Sequence, residues 1–302
     1  MLAVPALGLG APGDNGVKID LCRIKTALVL WYSQTQNTER IGRLAARALE
    51  LQGIETDAFE IREAGIPVFE KYDLIVFGSP VFHYDVPEIV QDKIRETNRI
   101  DNIPVSAFVT SGGGGGNQIN TAVRILSFLQ EKGGIPIGFE VFYNFGTFPP
   151  SWAFMDEEDR RKIQILPDAN TFEKVQAFSA RIVDNARAGI GYEINLACGL
   201  GEVKRLFLNT GTSKLMTGTH GINLKNCIGC GICLEKCPAG AIDLSTGTID
   251  AKKCVSCMGC INNCRNKAVD MVFIGQKLTG YYDLVKTSNI RLPDPGELLT
   301  DI

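Results

Sequence analysis

Eight of the ten cysteines in this 302-residue chain stand in two runs of identical spacing. The first is Cys227, Cys230, Cys233 and Cys237, followed by Pro238; the second is Cys254, Cys257, Cys260 and Cys264. Each run reads C-x2-C-x2-C-x3-C. Three closely spaced thiolates can wrap one corner of a metal centre, and a distant fourth can close the cage. This is the bacterial spacing for iron–sulfur cubes, in which the fourth cysteine of each run serves the other cube. The expected ligands are therefore Cys227, Cys230, Cys233 and Cys264 for one [4Fe–4S] cluster, and Cys254, Cys257, Cys260 and Cys237 for the second. Two four-thiolate zinc sites are the alternative, but zinc usually separates two C-x2-C pairs by a longer stretch. A disulfide framework fits worse, because adjacent C-x2-C loops suit metal and nothing in the chain suggests export. Cys22 and Cys198 lie outside both runs and read as ordinary thiols.

The flanks repeat too: INLKNCIGCGICLEKCPAGAIDL from Ile222 recurs as IDAKKCVSCMGCINNCRNKAVDM from Ile249. Two copies of one small unit, neither able to bury a core alone, would be stapled by their clusters. Residues 220–275 resemble the two-cluster bacterial ferredoxins. Arg265 stands where the first run has Pro238, a departure that spares the ligands and bears on the potential or docking near that cluster.

Three further segments carry chemistry of another kind. Ser33-Gln34-Thr35-Gln36-Asn37-Thr38 offers hydroxyls and free N–H groups at the start of a helix, a cradle for a phosphate. Ser79-Pro80-Val81-Phe82-His83-Tyr84 can wall a flat aromatic ring. Ser111, the glycines Gly112, Gly113, Gly114, Gly115 and Gly116, and Asn117 let backbone approach the ring's other edge and donate to it. The glycine run could also be a plain surface loop. His83, one of two histidines, reads either as a loop residue or as a hydrogen-bond donor beside the ring.

These segments need a frame. Apolar runs at Thr26–Tyr32, Ile54–Phe59, Leu74–Phe77, Val105–Val109 and Ile135–Phe142 read as buried parallel strands. Helical periodicity fills Thr38–Leu51, Pro87–Thr97 and Ile119–Lys132, and a last helix over Asn170–Ala188 stops at Gly189. The expected fold is α/β, a five-stranded doubly wound parallel sheet in the order 2-1-3-4-5, followed by a small α+β ferredoxin-like domain. In that order the three loops meet at the carboxyl ends of neighbouring strands.

WYSQTQNTERIG is similar to the phosphate loop of the flavodoxin family, and GSPVFHYDVP and TSGGGGGNQ resemble its two ring-binding loops. With the cysteine runs, the whole chain resembles the flavodoxin–ferredoxin fusion family. The resemblance implies FMN in the first domain, held by the three loops, and two [4Fe–4S] clusters in the second. Gln36 stands where the family loop has glycine. If that position needs positive φ, glutamine costs about 1 kcal/mol there, roughly tenfold in FMN binding at most.

The expected divisions are a flexible extension at 1–24, the FMN domain at 25–190, a partly helical linker at 191–219, the cluster domain at 220–275 and a tail at 276–302. Gly8, Gly10 and Gly13 spell G-x-G-x-x-G, but without a preceding strand and with Pro12 inside, so they read as a decoy. The long aromatic stretch 143–154 reads as a lid or interface, or as a segment packed over the sheet end. A formal net charge of −3 gives no basic footprint for nucleic acid. No apolar run approaches the ~18 residues of a membrane helix. The N-terminus makes a poor signal peptide, and ten cysteines without an export signal point to a reducing cytoplasm.

Two functions of different class fit. One is an electron-transfer flavoprotein that couples one-electron clusters to a flavin, with redox proteins docking near the clusters. The other is a reductase that stacks a small organic acceptor on the flavin. A cluster-based sensor with a degenerate flavin site is a third, and a homodimer fits any of them.

Overall fold

Side-chain alternation builds the first sheet. Along Ala27–Tyr32, Ala27, Val29 and Trp31 enter one apolar cluster, while Leu28, Leu30 and Tyr32 enter another. A strand buried on both faces needs cover on both, and helices supply it. The computed structural model describes residues 9–13, 24–63, 68–112, 117–156, 166–196 and 200–291. They open with β1 (Leu9–Gly13), β2 (Thr26–Trp31), α1 (Asn37–Glu50), β3 (Glu55–Glu60) and β4 (Leu74–Pro80). Next come α2 (Glu88–Glu96), β5 (Pro104–Ser111), α3 (Gln118–Glu131) and β6 (Ile135–Tyr143). The short α4 (Pro150–Ala153), the long α5 (Ala169–Arg187) and β7 (Gly191–Ile194) follow.

The parallel sheet runs β3-β2-β4-β5-β6. Counted within the sheet this is 2-1-3-4-5, the flavodoxin-like doubly wound order expected from the sequence. All five expected strands are present with shifted ends. Asp168 opens α5 through a reciprocal capping box with Thr171, and Gly189 (φ 68°) follows its end.

Two local expectations are corrected. Leu9–Gly13, placed in a flexible extension, pairs antiparallel with Gly191–Ile194. Gly10 and Gly13 therefore lie in a strand, and Gly8 lies outside the described residues. Tyr192, in the linker expected to be partly helical, is in that strand, and the linker's first described helix is α6 (Leu200–Phe207). The alternating Tyr-Glu-Ile suits a strand, and Gly191 packs so close that a Cβ there would lie 2.9 Å from Ile135 Cγ2.

The backbone gathers into two units, and the division is not linear in sequence. One takes the described residues up to Asn144 together with Pro167–Val203; the other takes those of Phe145–Leu166 and Lys204–Leu292. The second unit contains α7 (Thr210–Met216), β8 (Thr217–Ile222), α8 (Ile232–Glu235), β9 (Ile242–Asp243) and β10 (Thr248–Ile249). It ends with α9 (Gly259–Asn263), β11 (Val269–Phe273), β12 (Gln276–Lys277) and α10 (Tyr281–Thr287). Its antiparallel sheet runs β12-β11-β8-β10-β9.

The aromatic stretch after β6 and the expected tail both build this second unit. Trp152 Nε1 donates to Thr279 O at 2.9 Å, and the Phe148 ring meets Phe273 edge-on. Asn262, buried between Cys260 and Cys264, donates to Thr147 O at 2.8 Å and accepts from Tyr281 N at 3.0 Å. One amide thus pins the aromatic stretch and the tail helix to the second cysteine run. Cys22 and Cys198 lie outside the described residues.

Candidate functional site

At the carboxyl end of β2 the chain turns through a loop of unusual burial. Ser33, Gln34, Thr35, Asn37 and Thr38 are all buried, and only Gln36 is exposed. Polar loop side chains seldom go inside without a task. Ser33 Oγ is buried and finds no hydrogen-bond partner among the described residues. Gln36 adopts φ 64°, so the position where the flavodoxin-like loop carries glycine does need the left-handed conformation. It leads into the 14-residue α1, whose first N–H groups have no partner within the helix. The orphaned hydroxyl, the first-turn N–H groups and the positive helix end together fit a phosphate.

Two residues behind this loop were not singled out from the sequence. Glu60, buried at the end of β3, accepts from Ser33 N at 3.3 Å and from Arg62 Nε at 2.9 Å. Arg62 also donates to Ser33 O at 2.7 Å, and its guanidinium lies over the Tyr32 ring. Their only sequence signal is a charged pair at the carboxyl end of an edge strand.

The three loops do converge. Thr38 Oγ1 and Thr110 Oγ1 share a hydrogen bond of 2.8 Å, joining the first loop to the end of β5. Asn117 Nδ2 donates to Tyr84 O at 3.1 Å, joining the third loop to the second. Gln118 Nε2 donates to Ser111 Oγ, and the Phe82 ring meets Tyr32 edge-on at 6.0 Å. The second loop is a tight turn: Phe82 and Asp85 exchange backbone hydrogen bonds of 3.0 and 2.8 Å. His83 and Tyr84 between them have φ 48° and 63°, the pattern of a type I′ turn built without glycine. Such strain persists where the surroundings over-determine it and is common at ligand clamps. Ser79 is buried, whereas Pro80, Val81, Phe82, His83 and Tyr84 are half-buried and can meet a ring. Gly112 is described; Gly113, Gly114, Gly115 and Gly116 lie outside the described residues. The geometry fits a phosphorylated flat cofactor such as FMN.

In the second unit the two cysteine runs fold alike. Gly229 N donates to Cys227 Sγ and Ser256 N to Cys254 Sγ, both at 3.4 Å. Ala241 N donates to Cys237 Sγ at 3.4 Å and Ala268 N to Cys264 Sγ at 3.2 Å. An Asx turn precedes each run, with Lys225 N on Asn223 Oδ1 and Lys252 N on Asp250 Oδ1. Positive φ recurs at matching positions: Gly229 and Ser256, Gly231 and Met258, Gly240 and Lys267. The first run uses glycine at all three and the second at none. Met258 and Ser256 are buried, so the strained residues there fill core.

The last cysteine of the first run, Cys237, lies beside the first three of the second. Burial raises the Cys233 thiol above its ordinary value, and the charges of Cys264, Cys227 and Cys230 add to the rise. Burial likewise pushes Cys260 well up, helped by Cys257, Cys254 and Cys237. Cys237, Cys254, Cys257 and Cys260 line one cavity with Ile249, Met258 and Met271. Among the described residues no three or more of His, Cys, Asp and Glu form a group that could hold a metal ion. The thiols of each quartet are nonetheless close enough to feel each other's charge, and thiolates around an Fe4S4 cube stand wider apart than those on one ion. The chemistry of the donors, eight soft thiols with N–H groups on four sulfurs, fits iron–sulfur clusters.

His220 was not assigned from the sequence. It sits on β8 opposite Met271, its Nδ1 3.1 Å from Gly218 O. Its interaction with Cys254 raises the imidazole above its ordinary value against the pull of burial. Burial alone would raise Cys254; His220 and the Ser256 N–H outweigh it, and the thiol lies below its ordinary value.

Residues 220–243 match the family model described as 4Fe-4S binding domain. The match spans the first cysteine run; the second, with Arg265 for proline and no glycine at the left-handed positions, lies outside it. No curated protein sequence matches the chain. Among solved structures, it is similar to a flavodoxin from the domain Archaea at 13% identity and TM-score 0.41, over 54% of this chain and 99% of that one. Oxidised Flavodoxin 1 from Bacillus cereus gives 17% identity and TM-score 0.41, over 53% and 98%. Rubredoxin oxygen:oxidoreductase from Desulfovibrio gigas gives 13% identity and TM-score 0.38, over 54% and 36%. Strand order and the matched segment together make the chain a flavodoxin-like domain joined to a ferredoxin-type 4Fe–4S segment. Among the described residues no helix is long and apolar enough to cross a membrane.

Proposed function

We propose that this chain is a cytoplasmic electron-transfer flavoprotein that works with two [4Fe–4S] clusters and one FMN and exchanges electrons with redox proteins. The observation that supports the reading is that one chain holds both two cysteine runs of matching backbone, with Cys237 beside Cys254, Cys257 and Cys260, and a three-loop crevice with an orphaned, buried Ser33 hydroxyl. When bound, the clusters carry single electrons and the flavin takes one or two, so the pair can convert between them.

The chain's own residues set the terms. Cys227, Cys230, Cys233 and Cys264 hold one cluster; Cys254, Cys257, Cys260 and Cys237 hold the other. N–H groups of Gly229, Ala241, Ser256 and Ala268 point at four of these sulfurs and stabilise added negative charge there. Ser33, Gln34, Thr35, Asn37 and Thr38 receive the phosphate, with Gln36 supplying the left-handed turn. Ser79, Pro80, Val81, Phe82, His83 and Tyr84 would hold one side of the ring, and Ser111, Gly112 and Asn117 the other. Among the described residues, Phe148 and Trp152 pack on Phe273 and Thr279 within the cluster-bearing unit.

The test is FMN reduction by a one-electron donor under argon, comparing cluster-loaded protein with protein stripped of iron. Faster flavin bleaching in the loaded form supports the reading. Equal rates in both forms contradict it.

A further inference from the structure

The linker carries a carboxylate that the flavin loops use. Glu202, in the first turn of α6, accepts from Asn117 Nδ2 at 2.6 Å and from Asn120 Nδ2 at 2.8 Å through one oxygen. Its other oxygen pairs with Arg124 at 2.5 Å. Asn117 and Asn120 are buried, and Glu202 itself is mostly covered. The preceding residue is shaped for the same approach. A Cβ at Gly201 would stand 2.6 Å from Asn117 Oδ1 and 3.2 Å from Asn117 Cα. Asn117 in turn donates to Tyr84 O, so Glu202, the third loop and the strained second loop form one chain of hydrogen bonds.

We propose that Glu202 is a latch that couples FMN occupancy to docking of the linker start. The inference rests on the FMN reading above. Asn117 and turn 82–85 must take defined positions to hold a ring, and Glu202 stabilises that arrangement from a segment more than eighty residues away in sequence. Coupling of this kind is reciprocal: whatever factor Glu202 adds to FMN affinity, FMN adds to docking of residues 200–203. Glu202 is thus a positioning residue that reaches the ring only through Asn117. Arg124 holds the carboxylate from α3 and pairs more weakly with Asp85 at 3.4 Å. Glutamine at 202 keeps the shape but turns an amide toward either the asparagines or the arginine, so one side of the contact is lost.

The experiment uses the full chain and two readouts that need no electron transfer. FMN affinity is measured by fluorescence quenching, and amide exchange of residues 200–203 is followed with and without FMN. In the wild type, FMN should slow exchange there. Glu202→Gln should weaken FMN binding by on the order of tenfold and abolish the FMN-dependent protection. Arg124→Ala should do the same, and the double variant should lose little more than either single one. Unchanged FMN affinity in both single variants, with the wild type binding FMN, overturns the latch alone. A wild type that binds no FMN overturns the latch together with the flavin reading.

Discussion

Ser33 holds a hydroxyl away from water with no partner among the described residues, and an unmet buried polar group of this kind costs about 1–3 kcal/mol. A phosphate oxygen would meet it. Ser33→Ala should therefore leave the thermal stability of flavin-free protein unchanged or raised, while weakening FMN binding roughly tenfold. A variant equally destabilised with and without FMN would show that the hydroxyl is structural. Gln36 makes the opposite case. Its φ of 64° is strained for any side chain, so Gln36→Gly should tighten FMN binding by up to about tenfold in the same titration. Weaker binding would mean that the glutamine side chain itself contacts the cofactor. Much of this site could be read directly, because phosphate cradles and ring walls use recognisable residue types. Glu60, Arg62 and Glu202 could not, because each depends on which distant backbone the fold brings alongside.

At the scale of elements, the parallel strands were legible because burial on both faces leaves continuous apolar runs such as Ala27–Tyr32. Leu9–Gly13 was not, because among the described residues it pairs only with the short Gly191–Ile194. The split of the chain between units was hidden for a related reason. Residues 145–166 contain no cysteine, and Thr147 is tied to the cysteine-bearing unit by a single contact from Asn262. Asn262→Ala should destabilise the cluster-bearing unit by about 1–3 kcal/mol, since it leaves Thr147 O and Tyr281 N without that amide. Chemical denaturation of the loaded protein checks this, and an unchanged midpoint contradicts it. Asp168 gives a pH-dependent element. The Thr171 hydroxyl and N–H hold its carboxyl below the ordinary carboxylate value. The cap's contribution is therefore complete above the unfolded value and lost as pH falls through the depressed folded one. Asp168→Ala should cost about 1 kcal/mol at neutral pH and much less in acid.

For the whole molecule, the central claim is that the two cysteine runs exchange their fourth ligands and that one chain carries both cofactor types. The repeated Asx turns, N–H···S bonds and left-handed positions give both runs one backbone, although residues 220–243 alone match a 4Fe–4S model. The second run reaches that backbone with Ser256, Met258 and Lys267 in place of glycine, so its likeness is stronger in shape than in letters. The most direct test is anaerobic purification with iron and FMN quantified per chain, for the wild type and for Cys264→Ala. The account predicts about eight irons and one FMN in the wild type, by two four-iron cubes and one crevice. It further predicts that Cys264→Ala selectively loses the cluster bound by Cys227, Cys230 and Cys233. About four irons in the wild type, or loss of the cluster bound by Cys254, Cys257 and Cys260 in the variant, would contradict it.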